Sequence, residues 1–238
     1  MALQHFTEPT TYYWQEIVEQ DSSMPPWQYS YPALLPDNRV LYLPIRPLPS
    51  PDSASRPNLA IASLFLTQAS FSVVDALGSS LASLIRSSFG TPIDAIVGLP
   101  TLGLGIASLV AKDLGHSRFV ALGYSRKFWY TDDLSATLSS ITSHGEKKVY
   151  LDPAQLPLIQ GKNVLVVDDA VSTGKTVNAV WDFLESENVG ANVVGVGVAM
   201  KQGSKWRDAL GDGRRGKIEG VFECPLLKAV AGGWVTRD

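Results

Sequence analysis

The stretch VLVVDDAVSTGKT, residues Val164 to Thr176, decides the fold of this chain. Its first four residues are β-branched or aliphatic, which predicts a buried strand of a parallel sheet. Asp168 and Asp169 follow at once, so we expect both acids where the strand leaves its sheet. Small residues then lead to Lys175, near which a helix is predicted to begin. The segment therefore places two carboxylates and a flexible turn between a strand and a helix.

The residues of this turn match the groups of a sugar phosphate. Two carboxylates can accept hydrogen bonds from a pair of vicinal hydroxyls. The run from Ala170 to Gly174 is small enough for backbone N–H groups to surround an anion, and the following helix adds its positive N-terminal dipole. Ser172, Thr173 and Thr176 supply hydroxyl donors. Diol acceptors followed by a phosphate cradle predict a site for a ribose 5-phosphate.

Two other interpretations compete with this one. The sequence TGKT occurs in Walker A loops, but that motif needs a glycine five residues before Gly174, where this chain has Asp169. Alternatively, the acids merely end a strand while Ser172 or Thr173 caps the helix. Capping requires no acid pair, so the sugar-phosphate interpretation is favoured.

The whole string resembles the phosphoribosyl pyrophosphate (PRPP) motif of type I phosphoribosyltransferases, which has four apolar residues, two acids, two or three small or apolar residues and then T-G-x-T. The resemblance covers roughly Leu59 to Lys201. With DLSATLSSITSHGEKKVYLDPAQL before the motif and ANVVGVGVAMK after it, the chain is most similar to the purine branch: adenine and xanthine phosphoribosyltransferases and the purine-operon repressor. The resemblance implies an α/β type I fold, with a mostly parallel central sheet flanked by helices and a hood from N- and C-terminal segments.

Composition agrees with such a protein and excludes other classes. The chain has 238 residues and a net charge of −3, so no broad basic surface for nucleic acid is expected. Its single cysteine, Cys224, cannot form an internal disulfide, which fits a reducing compartment. The N-terminus lacks a secretory signal pattern, and no apolar run is long enough to span a membrane. We expect a cytoplasmic protein.

The resemblance divides the chain into three parts. Residues 1–58, rich in proline, serine and aromatics, are expected to be an N-terminal extension that contributes to the hood or to dimer contacts, with one strand at Arg39–Ile45. Residues 59–201 are the expected phosphoribosyltransferase core, and 202–238 the C-terminal hood or tail. Alternating strands and helices predict the core's elements: strands at Ala95–Gly98, Phe119–Leu122, Val149–Leu151, Val164–Val167 and Val193–Val198, and helices at Val73–Arg86, Gly105–Asp113 and Asn178–Glu187.

The resemblance also implies the remaining site residues. Pyrophosphate is expected to bind to a turn within VGLPTLGLG, often through a strained or cis peptide, and to a basic pair after the next strand; these residues are Leu99, Pro100, Thr101, Leu102, Arg126 and Lys127. The ribose and 5-phosphate site comprises Asp168, Asp169, Ala170, Val171, Ser172, Thr173, Gly174, Lys175 and Thr176. Catalytic roles fall to Arg126, Lys127, Asp168 and Asp169.

The family's chemistry completes the hypothesis. It implies Mg²⁺ bound largely through PRPP, with Asp168 and Asp169 as metal contacts, a purine base as acceptor, and a homodimer. Thr67, Gln68 and Val171 are the candidate base contacts. Ser143 stands where adenine enzymes carry a loop glutamate, which favours 6-oxopurines over adenine. Residues 128–148 are expected to form a polar loop, which is either a lid over the site or an ordinary surface loop.

Two other functions stay open. One is a PRPP-sensing regulator that binds without catalysing, as the purine repressor does, although no DNA-binding pattern is present. The other is an enzyme like PRPP synthetase, or a hydrolase, which the absence of a recognisable ATP site disfavours.

Overall fold

The computed structural model describes residues 12–19, 23–49, 57–138 and 147–237. The N-terminal part forms three strands: β1 (Ser30–Leu34), β2 (Val40–Pro47) and β3 (Leu59–Ala62). The middle of the chain then alternates helices and strands: α1 (Phe71–Ser88), β4 (Ala95–Gly98), α2 (Gly103–Asp113), β5 (Val120–Ala121), β6 (Ser135–Leu138), β7 (Lys147–Tyr150), β8 (Asn163–Val171), α3 (Lys175–Glu185) and β9 (Asn192–Gln202). The C-terminal part contributes α4 (Lys205–Arg215), β10 (Ile218–Cys224), β11 (Leu226–Val230) and β12 (Gly233–Arg237).

The central sheet has the order β10-β9-β8-β4-β5, and all its strands are parallel. Helices cover both faces, which explains the continuous apolar run of β8. Leu165 and Val167 pack in the cluster that contains α1 and α2, whereas Val164 and Val166 pack in the cluster that contains α3. The predicted α/β class is therefore confirmed.

A second sheet, which we call the hood sheet, has the order β1-β2-β3-β11-β12 and is antiparallel throughout. Both ends of the chain supply it, as expected of a hood. The sequence predicts only β2 in the N-terminal part of this sheet and places Leu59 at the start of the parallel core. That assignment of β3 is wrong, because β3 pairs with β2 and β11. The three-part division of the chain stays a proposal.

Within the core, most predicted elements are present, with shifted ends. The strand at Ala95–Gly98 and the helix start at Lys175 are confirmed. The prediction for Val149–Leu151 is wrong about the partner, since β7 pairs with β6 as a separate antiparallel ribbon. The expected loop 128–148 is also wrong in part, because it contains β6. Ser143 lies outside the described residues.

The N-terminal segment around Trp14 contacts both the hood sheet and the core. Trp14 is 5% exposed and packs in the same cluster as Leu77 and Ile106 of the central helices. Its Nε1 donates to the Ser63 carbonyl oxygen at 3.0 Å, just after β3. Among the described residues, no helix is long and apolar enough to cross a membrane.

Replacing Trp14 with alanine should destabilise the fold by about 3–5 kcal/mol, because the change leaves a large cavity and removes a buried hydrogen bond. Urea unfolding would measure this loss. Phe71→Ala is the control, since Phe71 is 90% exposed, and it should change the free energy of unfolding by less than about 0.5 kcal/mol. Equal effects of the two substitutions would show that the N-terminal segment does not hold the hood sheet in place.

Candidate functional site

Three predicted segments meet at one edge of the central sheet. β8, β4 and β5 are adjacent parallel strands, so their carboxyl ends lie side by side. The acid pair belongs to β8, the turn from Leu99 to Leu102 follows β4, and the basic pair of Arg126 and Lys127 follows β5. Ligands of open α/β sheets bind outside this edge.

The acid pair lies within β8 rather than beyond it. The expectation that Asp168 and Asp169 follow the end of the strand is wrong, because β8 stays paired with β9 as far as Val171. On its other side, pairing with β4 ends at Val167. The acids therefore occupy a part of β8 that has a strand neighbour on one side only.

The start of α2 fills the other side of Asp168. A Cβ on Gly103 would lie 2.7 Å from both Cα and Oδ1 of Asp168, so a larger residue does not fit there. Asp168 is 9% exposed, and its Oδ1 accepts a hydrogen bond from the Asp169 amide at 2.8 Å. Burial raises the pKa of Asp168 well above its ordinary value, and the charge of Asp169 adds to the shift. Burial also raises the pKa of Asp169.

The turn after the acids leads into α3 with its backbone amides uncapped by the described side chains. Gly174 occupies the N-cap position with φ 75°, a left-handed conformation that favours glycine. The alternative in which Ser172 or Thr173 caps the helix is therefore wrong. Both side chains are half-buried, as is that of Thr176, while Lys175 is exposed. The arrangement leaves N–H groups and hydroxyls for an anion at a helix N-terminus.

A cavity of about 280 Å³ opens between this turn and the hood sheet. Its lining includes seven residues predicted from sequence: Asp168, Ala170, Val171, Ser172, Thr173, Gly174 and Thr176. It also includes residues that the sequence analysis missed: Leu48, Ile61, Val177, Gln202, Lys205 and Leu226. No sequence pattern singled out this second set, because its members come from the segment after β2, from strands β3, β9 and β11, and from helices α3 and α4.

The pyrophosphate candidates follow β4 and β5 and do not line this cavity. Leu99 is buried and donates its amide to the Val167 carbonyl oxygen, whereas Thr101 is exposed. The Pro100–Thr101 peptide is cis, the form that the resemblance led us to expect in this turn. Pro100 and Leu102 are half-buried.

The basic pair is open to solvent. Arg126 is exposed and lies 3.2 Å from Asp132, a surface pair that contributes little to stability. Lys127 is also exposed. Nearby Tyr124, which the sequence analysis did not select, lies close to both acids: burial raises its pKa, and the charges of Asp168 and Asp169 raise it further. The Lys147 Nζ lies 5.5 Å from the centre of its ring.

The candidate base contacts are not brought together. Val171 lines the cavity, but Thr67 and Gln68 are exposed in a short helical turn and do not. Three aromatic residues of the C-terminal part, Trp206, Phe222 and Trp234, are buried in hydrophobic clusters.

The described residues contain no group of three or more histidine, cysteine, aspartate or glutamate side chains that could hold a metal ion. Asp168 and Asp169 alone provide two carboxylates. Two carboxylates suit Mg²⁺ when a ligand's phosphates complete its coordination. The donor set therefore fits a metal that arrives with a phosphate ligand rather than a permanent protein site.

Comparison with known proteins identifies a family. A family model described as phosphoribosyl transferase domain matches residues 70–227. An adenine phosphoribosyltransferase of Xanthomonas oryzae pv. oryzae is 31% identical over 121 residues, covering 50% of this chain and 62% of the relative. A xanthine phosphoribosyltransferase of Bifidobacterium adolescentis is 29% identical over 115 residues, covering 48% and 58%. The chain thus spans less than two thirds of the curated relatives it matches.

Solved structures agree on the fold. An adenine phosphoribosyltransferase from Giardia lamblia, in complex with 9-deazaadenine, matches with a TM-score of 0.55 and 20% identity, over 75% of this chain and 93% of that one. A second, from Rhodothermus marinus, matches with a TM-score of 0.52 and 20% identity, over 75% and 93%. At this identity the likeness shows the type I fold alone.

Gly103→Ala should destabilise the protein by about 1–3 kcal/mol, because the new methyl group collides with the backbone of β8 at Asp168. Gly105→Ala is the matched control in the same helix, since its Cβ would meet no atom within 4 Å. It should stabilise α2 by about 0.5–1 kcal/mol. Urea unfolding of both variants would measure the difference. Equal shifts would contradict a close contact between α2 and β8.

Asp168→Asn should stabilise the protein near neutral pH. Because the folded-state pKa of Asp168 is raised, the folded protein binds more protons than the unfolded chain, and it loses stability as the pH rises through that interval. The asparagine variant lacks this penalty. Its advantage in urea unfolding should therefore be largest at neutral pH and shrink as the pH falls toward 3.8, the ordinary carboxyl value. Asp75→Asn, an exposed change on α1, is the control.

Proposed function

Because the chain belongs to the phosphoribosyl transferase domain family, we propose that it transfers the phosphoribosyl group of PRPP to a purine base. The products are a nucleoside 5′-monophosphate and pyrophosphate, as in purine salvage. The single observation that carries the proposal is the acid pair of β8 placed directly beside an uncapped, hydroxyl-rich helix N-terminus. A ribose 5-phosphate needs both features within one site.

In this proposal, residues of β8 and the following turn hold the sugar. Asp168 and Asp169 accept hydrogen bonds from the 2- and 3-hydroxyls, and their raised pKa values reflect burial without such partners. The residues from Ala170 to Thr176 bind the 5-phosphate through backbone N–H groups, hydroxyls and the helix dipole. The ribose is thereby held with its C1 toward the β4 and β5 side of the acids.

Positive charge then assists the departure of pyrophosphate. Displacement at C1 passes through an oxocarbenium-like state, and the leaving group gains negative charge as the bond breaks. Arg126, Lys127 and the backbone of the turn from Leu99 to Leu102 bind that charge where it develops. Mg²⁺, when bound through PRPP and the two carboxylates, supplies further neutralisation of the phosphates.

The acceptor is proposed to be a purine, with 6-oxopurines favoured over adenine. A ring nitrogen of the base attacks C1 as pyrophosphate leaves. The support comes from the similarity to adenine and xanthine phosphoribosyltransferases and from Ser143, which replaces the loop glutamate of adenine enzymes. A homodimer in the cytoplasm is part of the same proposal.

The assay that tests this function follows pyrophosphate release from PRPP and Mg²⁺ with hypoxanthine, guanine, xanthine, adenine and orotate. We expect turnover with at least one purine. The double substitution of Asp168 and Asp169 by asparagine should lower kcat/KM by about 10²-fold or more, because two charged acceptors for the ribose diol are lost. Asp75→Asn should retain wild-type turnover, since Asp75 is exposed on α1.

Two outcomes would contradict the proposal. A wild-type kcat/KM in the double variant would show that Asp168 and Asp169 are not part of the site. Tight binding of PRPP without turnover of any base would instead favour a PRPP-sensing regulator with the same fold.

A further inference from the structure

The cavity beside the acid pair has two chemically different ends. The end that holds Ser172, Thr173, Gly174 and Thr176 carries hydroxyl groups and backbone amides. The side toward the hood sheet is lined by apolar residues, Leu48, Ile61 and Leu226, together with Val171 of β8. The charged residue Lys205 also lines the cavity. The first end suits a phosphate, and the second suits the faces of a flat ring.

One buried amide interrupts the apolar end. Gln202, the last residue of β9, is 6% exposed and lines the cavity. Its Nε2 donates a hydrogen bond to the Ala62 carbonyl oxygen of β3 at 2.8 Å. A carbonyl oxygen can only accept, so this bond determines which atom of the amide is the nitrogen. The oxygen is therefore turned away from Ala62.

The amide oxygen is left as an acceptor for the cavity. No described residue donates a hydrogen bond to it, since its amide takes part in the Ala62 bond alone. A ligand N–H that reaches this oxygen can therefore be accepted without breaking the bond to Ala62.

We propose that Gln202 recognises the acceptor base: its Oε1 accepts a hydrogen bond from an N–H on the six-membered ring side of a purine whose faces contact Ile61 and Leu226. This inference rests on the proposed function and moves the base-recognition site from Thr67 and Gln68 to the end of β9. The N1–H of a 6-oxopurine and the amino group of adenine both provide such a donor.

The test measures binding by calorimetry, with the protein saturated with ribose 5-phosphate, for three bases: hypoxanthine, adenine and 6-methylpurine. The last has a similar shape but no N–H on its six-membered ring. Wild-type protein should bind hypoxanthine or adenine at least about tenfold more tightly than 6-methylpurine, and the preferred base identifies the donor. This arm needs no substitution.

The second arm uses Gln202→Met, which keeps the length of the side chain and removes the acceptor. The Kd of the preferred base should rise by about ten- to a hundredfold, while the Kd of 6-methylpurine changes by less than about threefold. Binding of ribose 5-phosphate should be unchanged and shows that the site is intact. Gln160→Met is the control, because Gln160 is exposed before the start of β8.

Several results would overturn the inference. These are equal wild-type affinity for all three bases, binding of none of them, and an equal loss for all three in the Gln202 variant. Failure of the proposed function is distinct: base binding that depends on Gln202, without pyrophosphate release in the turnover assay, would reject catalysis and keep the inference. Pyrophosphate release that Gln202→Met leaves unchanged would reject the inference and keep the proposed function.

Discussion

The unequal pairing of β8 is the constraint on which the site depends. β9 accompanies β8 to Val171, but β4 leaves it at Val167. The acids are thus held in a regular strand while one side of that strand is free of a partner strand. The amino end of α2 occupies the free side at Gly103, and Asp168 also lines the cavity beneath the hood sheet. A strand that ended at Val167 would leave the acids on a loop without this fixed geometry.

Burying two carboxylates in this position lowers the stability of the folded protein. Burial raises the pKa of both acids, so ionising them at neutral pH costs free energy that nothing in their immediate surroundings fully offsets. Tyr124 lies near the same charges. The acids gain compensating partners when hydroxyl groups or a cation bind. Sites that are prepared for a ligand commonly reduce stability in this way.

The hood sheet supplies the apolar wall of the cavity, which the central sheet does not provide. Ile61 and Leu226 come from strands that belong to opposite ends of the chain, yet β3 and β11 are hydrogen-bonded neighbours. The bond from Gln202 to Ala62 joins the end of β9 to that sheet. The apolar end of the cavity therefore forms only when both sheets are in place, and any preference among ring-shaped ligands depends on their relative position.

The sequence by itself determined four of the five central strands, β4, β5, β8 and β9, the helix start at Lys175 and the order of acids, turn and helix, because these features depend on local apolar runs and on neighbouring residues. It failed for β1, β3, β6, β10, β11, β12 and α4, whose short or mixed patterns take their form from pairing and packing that no local pattern reveals. Only the tertiary structure placed Gly103 against Asp168 and brought Gln202 to Ala62, since both contacts join residues far apart in the chain. Local chemistry thus indicated the sugar-phosphate half of the site, while the half that faces the hood was decided by long-range packing.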